Sequence, residues 1–209
     1  MNDSARMVLH WSPRSPYVRK VVIAAHELGL QDRIDLVRTV VGGTTPHPEL
    51  MRENPLGKIP TLVLADGTIV YDSPVVCEFL DRLVGGPLFP AAWRARLVAL
   101  RWQALGSGML DISLLRLGEC HKPEAMRSAP HEALWVGKIT SCLDALEGEA
   151  EVFGSTPFNI GHISVGVALG YLDFRFAAEA WREGRPKLAA WHARFNARAS
   201  VAANMPAEG

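Results

Sequence analysis

The chain is poor in cysteine and has no excess charge of either sign, and both deficits narrow what it can be. Its 209 residues include three cysteines, Cys77, Cys120 and Cys142. They form no Cys-x-x-Cys pair and show no metal-ligand spacing, so a disulfide scaffold, a dithiol redox centre and a cysteine-based zinc site all lack support. Seven histidines add nothing to the case for a metal, because none stands four residues from another. Lysine plus arginine and aspartate plus glutamate are equal at 22 each, which removes any electrostatic argument for nucleic acid or an anionic membrane surface. No run approaches the roughly 18 apolar residues of a membrane span. Met1 to Met7 holds no apolar signal core, so a reduced cytoplasm is the expected location. There is no internal repeat and no low-complexity tract.

What is present is ample apolar material, 48% of the residues, enough for one large or two modest cores. The pattern changes character once. Up to Leu83, short strands alternate with helices: a strand over Val8 to Trp11, a helix from about Pro16 to Leu28, a strand over Ile34 to Val40, and a Gly/Thr/Pro loop through Pro48. After the linker Gly85-Gly86-Pro87-Leu88-Phe89-Pro90 the pattern is helical throughout. A long helix runs from Ala91 to about Leu117, another ends near Leu146, and two more are separated by Gly184-Arg185-Pro186. The spacing predicts an α/β domain over 1–84 followed by an all-α domain over 91–209.

Residues 54 to 79 carry two backbone-recognition devices. Asn54-Pro55-Leu56-Gly57 is a turn signal, and Ile59-Pro60 opens the apolar run Thr61 to Leu64. Proline lacks an N–H and fixes φ, so it belongs at a strand's first residue or edge. A cis Ile59-Pro60 bond, a conformation that only about 5–6% of X–Pro bonds adopt, is expected to turn the N–H and C=O of Ile59 outward for an extended peptide to pair with. The second device is Asp72-Ser73-Pro74, after a short strand Ile69 to Tyr71. Ser73 reads as a helix N-cap and Pro74 as the first helical residue, leaving N–H groups and a positive dipole end for a carboxylate. Asp72 suits an amine. An amino-acid head group carries both, so the predicted ligand is a small peptide.

In order and spacing, these devices resemble the glutathione S-transferase family. FNIGHISVGVALGYLDFR (158–175) is similar to the family's sixth helix and RPKLAAWHARFNARASV (185–201) to its seventh, so the resemblance covers nearly the whole chain. It implies a thioredoxin-like amino-terminal domain followed by a helical bundle. It also implies that glutathione is the co-substrate, without a metal, held by the main chain of Ile59 beside Pro60 and by Asp72 and Ser73. Lys58 is a further candidate for the glycyl carboxylate, or simply a solvated turn lysine. Thr44, Thr45 and His47 lie in a loop that could close over the glycyl end or be only a loop. In SPRSPYVRK (12–20), Ser15 falls where related classes place their serine or cysteine and is the first choice to stabilise the glutathione thiolate; Ser12 is the rival. Each also has a bland reading as a turn or helix cap.

Departures from the family's pattern are informative. Thiol-transferase branches use a cysteine where this chain has Ser15, and the isomerase branch acting on maleylacetoacetate shows a Ser-Ser-Cys cluster before a Trp, where Pro13 to Tyr17 stand here. Both activities are disfavoured, and Cys77, Cys120 and Cys142 are expected in packing roles. The family's acceptor site is walled by the long helix after the linker, which makes Trp102, Met109, Leu110 and Ser113 wall candidates, with Asp111 and Arg116 supplying polarity. Apolar residues at helical spacing also fit a plain core. Gly106 and Gly108 read as a loosened or kinked stretch of that helix. At the start of the sixth helix the family's Ser/Thr and Asp are replaced by Asn159 and His162. Asn159 is a good N-cap, whereas His162 should have to stay neutral, and His162→Asp is expected to restore a capping pair.

The resulting expectation is a cytoplasmic, homodimeric glutathione transferase that joins the glutathione thiolate to a small hydrophobic electrophile, a detoxification chemistry, with no nucleic acid or membrane partner. The alternative is a glutathione-binding regulatory or protein-interaction module of the same fold with little turnover.

Overall fold

The computed structural model describes residues 6–42 and 45–208, which divide into two compact units. The first runs to Ala91 and takes in the segment from Ala199 onward. It begins with β1 (Met7–Trp11), α1 (Pro16–Glu27), β2 (Ile34–Arg38), α2 (Pro48–Glu53), β3 (Thr61–Val63), β4 (Ile69–Val70) and α3 (Ser73–Leu83). The sheet order is β2-β1-β3-β4, with β1 parallel to β2 and both β1–β3 and β3–β4 antiparallel. This is the thioredoxin-like arrangement. Leu9 and Leu62, paired across β1 and β3, are wholly buried.

Helix α1 is delimited by its own sequence. Ser15, in extended conformation, accepts a hydrogen bond from the Val18 N–H, and Pro16 opens the helix. At the other end Gly29 adopts φ +68°, and the bonds Gly29 N–H to His26 and Leu30 N–H to Ala25 close a Schellman turn. Val18, Val21, Ile23, Ala24 and Ala25 are buried, each of the larger side chains contributing about 1.5–3 kcal/mol. Helix α2 fills the stretch between the end of the expected loop at Pro48 and the turn at Asn54, where the sequence pattern assigns no element because the helix is so short. His47 caps it through Nδ1, which accepts from the Leu50 N–H at 3.2 Å, and Leu50 anchors it in the core.

The second unit spans Ala92–Arg198 and consists of α4 (Trp93–Cys120), α5 (Ala129–Ser155), α6 (Ile160–Arg175) and α7 (Pro186–Asn196). Every residue of α6 from Ile160 to Leu172 is buried, so it is the central helix. Gly106 does not kink α4. A Cβ there would stand 2.5 Å from the backbone of Ser164, so its glycine lets α4 lie directly against α6. Helix α5 runs well past the expected end near Leu146 because its acidic last third finds tertiary partners. Glu147 accepts the N–H groups of Lys187 and Leu188 at 3.2 and 2.7 Å and so caps α7. Glu149 takes Arg101 and the Trp102 indole, and Glu151 takes Lys187. Among the described residues no helix is long and apolar enough to cross a membrane.

The expected helical domain over 91–209 is too long at its far end. After α7 the chain forms α8 (Ala199–Ala202) and packs with the first unit, where the Ser200 hydroxyl donates to Glu27 of α1. Ser200 and Val201 are buried there, a tertiary fact with no local sequence signal.

His162 is a cap with two duties. Asn159 accepts from the Gly161 N–H at 2.9 Å, and the Asn159 N–H donates to Nδ1 of His162 at 3.1 Å. With Nδ1 accepting, Nε2 carries the proton and donates to the Phe153 carbonyl at 2.8 Å, one of the unpaired carbonyls in the last turn of α5. The ring stacks on Phe153 with centroids 4.4 Å apart. Burial holds its pKa below the ordinary histidine value and the Arg198 charge adds to this, against the opposing pull of the bond to Phe153.

The sign of the pH effect follows. The unfolded chain takes up this proton more readily, so the contribution is whole above about pH 6.5 and shrinks as pH falls below it. Denaturant unfolding is expected to show less stability at pH 5.5 than at pH 8, and His162→Gln, which offers an acceptor and a donor without titrating, should flatten that difference. His162→Asp does not bring the expected gain in this structure: a carboxylate can cap Asn159 but leaves the Phe153 carbonyl unpaired, so a loss of about 1–3 kcal/mol is predicted. A more stable Asp variant would show that the bond to Phe153 contributes little.

Candidate functional site

The first unit gathers the predicted binding residues on two loops and one helix start. The first loop is built on Asn54, which closes the turn by accepting the Gly57 N–H at its carbonyl, 2.8 Å away, with Gly57 at φ +59°. Its buried side chain accepts from the Leu56 N–H at 3.0 Å and donates to the Lys58 carbonyl at 3.1 Å and the Thr61 hydroxyl at 2.9 Å. Thr61 in turn donates to the Lys58 carbonyl at 2.8 Å. These bonds fix both ends of the segment Lys58-Ile59-Pro60-Thr61. The Ile59-Pro60 bond is cis, as the sequence predicts. Neither the N–H nor the C=O of Ile59 has a partner among the described residues. The ammonium of Lys58 is exposed and pairs with none of them either.

The second feature is the start of α3, and here one expectation is corrected. Ser73 is not the N-cap. The chain enters the helix through Asp72 in extended conformation, so Ser73 is the first helical residue and Pro74 the second. Asp72 makes no capping bond with its side chain, and its exposed carboxylate has no hydrogen-bond partner among the described residues. Ser73 is 1% exposed, and its hydroxyl is buried without a partner. A buried unpaired hydroxyl costs roughly 1–3 kcal/mol, and the first-turn N–H groups beside it have no intrahelical acceptors. The tools at this position are thus donors for an anion and one carboxylate for a cation.

The third feature is the turn before α1. Ser15 N–H donates to the Ser12 carbonyl at 3.2 Å, and the Ser12 hydroxyl accepts from the Arg14 N–H at 3.4 Å. Ser15 caps α1 through a lone pair, which leaves its O–H proton to donate. Both serines therefore do the bland capping work, and Ser15 stands at a helix N-terminus, where an anion is favoured. The first unit's one cysteine does not compete for the role. Cys77 is fully buried, and burial pushes its thiol up to about 12, so it is inert at neutral pH.

Other candidates fall into structural roles. The His47 ring is occupied in capping α2, and with Thr45, Met51 and Leu56 it lines a cleft of about 300 Å³. Thr44 lies outside the described residues. His10 bridges Thr39 at 2.8 Å and Glu53 at 2.7 Å, tying the end of α2 to the sheet. In the second unit Trp102, Met109, Leu110 and Ser113 are buried at 1% exposure or less. The Trp102 indole donates to Glu149, and the Ser113 hydroxyl turns back to the Met109 carbonyl. Arg116 bridges Glu132 and Glu179 with its guanidinium 4.3 Å over the Phe176 ring. These wall candidates are packing groups, whereas Asp111 is exposed.

Asn54 is the residue that sequence reasoning missed, although it stood in the quoted turn. An Asn seven residues before a Thr, across a proline, was its only signal. Asn54→Ala should cost about 1–3 kcal/mol by leaving buried groups unpaired, and amide exchange at 58–63 should accelerate. Thr61→Val, which removes one hydroxyl, should cost less in the same denaturant and exchange measurements. Equal exchange in parent and Asn54→Ala would mean that the loop is held by other contacts.

Comparison with known proteins matches both halves of the chain to one family. Residues 14–83 match the glutathione S-transferase N-terminal domain and residues 91–194 the glutathione S-transferase C-terminal domain. The Escherichia coli protein YibF, an uncharacterized GST-like protein, is 31% identical over 187 residues, or 87% of this chain and 90% of YibF. A glutathione transferase family member from Pseudomonas fluorescens, solved with bound glutathione, is 38% identical with a TM-score of 0.93 over 97% of this chain and all of the other. A structure of a Pseudomonas fluorescens family member with bound S-(propanoic acid)-glutathione, also 38% identical and with the same coverage, gives a TM-score of 0.88. With both halves matched in order, and with a relative of this identity covering nearly its full length, the chain belongs to the glutathione S-transferase family.

Proposed function

We propose that this protein is a glutathione transferase that delivers the glutathione thiolate to a small hydrophobic electrophile. The observation that carries the reading is the first turn of α3, where a buried, unpartnered Ser73 hydroxyl lies next in sequence to an Asp72 carboxylate with no hydrogen bond of its own. The α-carboxylate of a γ-glutamyl group takes the Ser73 hydroxyl and the first-turn N–H groups at the positive end of the helix dipole, and its ammonium takes Asp72. Ile59, preceding the cis Pro60, offers its unpaired N–H and C=O to the cysteinyl backbone, and Lys58 is the nearest cation in sequence for the glycyl carboxylate. Ser15 donates its hydroxyl proton to the thiolate. The sulfur then attacks an electrophilic carbon, forming the S–C bond as the leaving group departs with its electron pair or as a double bond takes up the electrons.

The bound ligands of the Pseudomonas fluorescens relatives support this assignment, one being glutathione and the other glutathione with a substituent on sulfur. A cytoplasmic homodimer working in detoxification completes the proposal. The test is retention on glutathione resin followed by turnover assays with aryl halides, enones and epoxides. Conjugation of any of these supports transfer; tight glutathione binding with no turnover across the panel selects the non-catalytic module instead.

Two substitutions separate the roles. Ser73→Ala should weaken glutathione binding by about 1–3 kcal/mol in calorimetry. Because the Ser73 hydroxyl is buried without a partner, its removal should leave the ligand-free protein at least as stable as the parent, with a gain of up to about 1–3 kcal/mol. Unchanged affinity would remove Ser73 from the head-group site. Ser15→Ala should raise the pH at which bound glutathione ionises and lower kcat while leaving affinity nearly intact, at a capping cost of about 1 kcal/mol. Ser12→Ala should do less on both counts, and the reverse ranking in pH–rate profiles transfers the role to Ser12.

A further inference from the structure

The segment that follows α8 does not trail away from the first unit but runs back along α1, from its C-terminal end to its N-terminal end. Ser200 is tied to Glu27. Further along, the buried guanidinium of Arg19 donates through Nε to the Asn204 carbonyl at 2.8 Å and through Nη2 to the Met205 sulfur at 3.3 Å. The Asn204 side chain closes its own turn by donating to the Ser200 carbonyl at 2.7 Å. At the far end, the Ala207 N–H reaches the Pro13 carbonyl at 3.4 Å, and Glu208 pairs with Arg14 at 3.1 Å. The contacts thus finish on Pro13 and Arg14, the two residues between Ser12 and Ser15. Arg19 is also linked to Ser15 directly, since its own N–H makes the first helical bond to the Ser15 carbonyl at 3.0 Å.

We propose that residues 204–208 are a strap that holds the Ser12–Ser15 turn in register, with Arg19 as the positioning residue that clamps it. The inference rests on the assignment of Ser15 to the thiolate made above. A hydroxyl that stabilises charge works only when held within a fraction of an ångström of its target. Within the turn carrying Ser15, the Ser15 N–H bonds the Ser12 carbonyl, the Ser12 hydroxyl accepts from the Arg14 N–H, and the Ser15 hydroxyl caps the Val18 N–H. The strap adds a main-chain bond on Pro13, an ion pair on Arg14 and, through Arg19, a buried anchor one turn into the helix. Arg19, at 5% exposure, is an expensive residue to bury, and its two acceptors on the strap offset part of that cost.

The experiment compares the parent with Arg19→Leu, Arg19→Lys and the fold-neutral pair Ala207→Pro with Glu208→Gln, which removes the N–H to Pro13 and the charge facing Arg14. Amide exchange followed by mass spectrometry should quicken about tenfold at residues 14–18 in Arg19→Leu, with the β3 amides unchanged. In the same variant kcat should fall by about threefold to tenfold while KM for glutathione stays within about twofold, and the thiolate absorbance of bound glutathione should appear at higher pH. Arg19→Lys keeps one donor and should recover part of each change; the surface pair should move all of them in the same direction by less. Unaltered exchange at 14–18 in both Arg19→Leu and the surface pair overturns the strap, as does exchange that quickens uniformly through the unit. If the strap loosens the turn but leaves the thiolate absorbance unmoved, it is structural only and the positioning role is overturned. If the parent itself binds no glutathione, the functional reading fails, and the exchange measurements still decide whether the strap holds the turn.

Discussion

The buried side chain of Asn54 is the fixed point on which the first unit's binding surface depends. A primary amide removed from water must have its donors and acceptor filled or it destabilises the fold. Asn54 fills them with the Leu56 N–H, the Lys58 carbonyl and the Thr61 hydroxyl. Those three bonds position a loop only a few residues long, so the main chain of Ile59 between them has little freedom. They also deliver Thr61 to its place opposite His10, which sets the register of β3 on β1. His10 then ties the other end of the same loop system through Glu53. The arrangement of the candidate peptide-binding edge is therefore a consequence of polar satisfaction, not of any interaction with a ligand.

Helix starts show a second constraint. Four of them are served by side chains: α1 by Ser15, α2 by His47, α6 by Asn159 and His162, and α7 by Glu147 reaching across from α5. At α3 the sequence supplies Asp, Ser and Pro, residues well suited to capping, yet neither polar side chain caps. A position rich in capping residues that leaves the helix start uncapped has its polar groups available for something else. That contrast with α1, α2, α6 and α7 is what gives the α3 start its weight in the functional reading.

The parts of this structure that were legible in the sequence are those decided by local chemistry. Proline, glycine and serine marked the ends of α1, the entry to β3 and the linker, and the alternation of strands with helices up to Leu83 gave an α/β half, which the family resemblance made thioredoxin-like. Residue chemistry and the family resemblance together singled out Ser15, with Ser12 as its rival, and Ile59, Asp72 and Ser73 as candidates. Elements decided by distant partners were not legible. The final third of α5 reads as an acidic, glycine-containing stretch until Arg101, Trp102 and the start of α7 supply its partners. The return of residues 199–208 depends on Arg19 and Glu27, some 180 positions away in sequence. His162 was seen as an imperfect substitute for a carboxylate because only its first bond is predictable from the capping pattern. Its second, to a carbonyl in the preceding helix, turns the departure into an advantage that a carboxylate cannot reproduce. The wall candidates on α4 failed for the opposite reason: helical periodicity identifies buried faces but does not distinguish a core from a pocket.

The first unit, which carries the candidate binding residues, holds one cysteine, Cys77, and its burial fixes where sulfur chemistry at that site can come from. Cys77 is held at about 12 by burial, and burial also raises Cys142, away from the range where a thiolate forms. In the proposed mechanism the sulfur is therefore the ligand's, and the protein's task is to ionise it. An unperturbed thiol near pKa 8.5 is only about 3% ionised at pH 7, and lowering that pKa by about two units, which makes most of it thiolate, requires about 2.7 kcal/mol of preferential stabilisation. A hydrogen bond to a charged acceptor supplies about 1.5–3 kcal/mol and a helix N-terminus about 0.3–1 kcal/mol more. One serine hydroxyl at the mouth of α1 is thus sufficient in magnitude, provided that it is held in place; a second charged group is not needed. A site that works through one neutral hydroxyl has no reserve in geometry, which is why the bonds that fix the Ser12–Ser15 turn bear on the chemistry as directly as the hydroxyl itself.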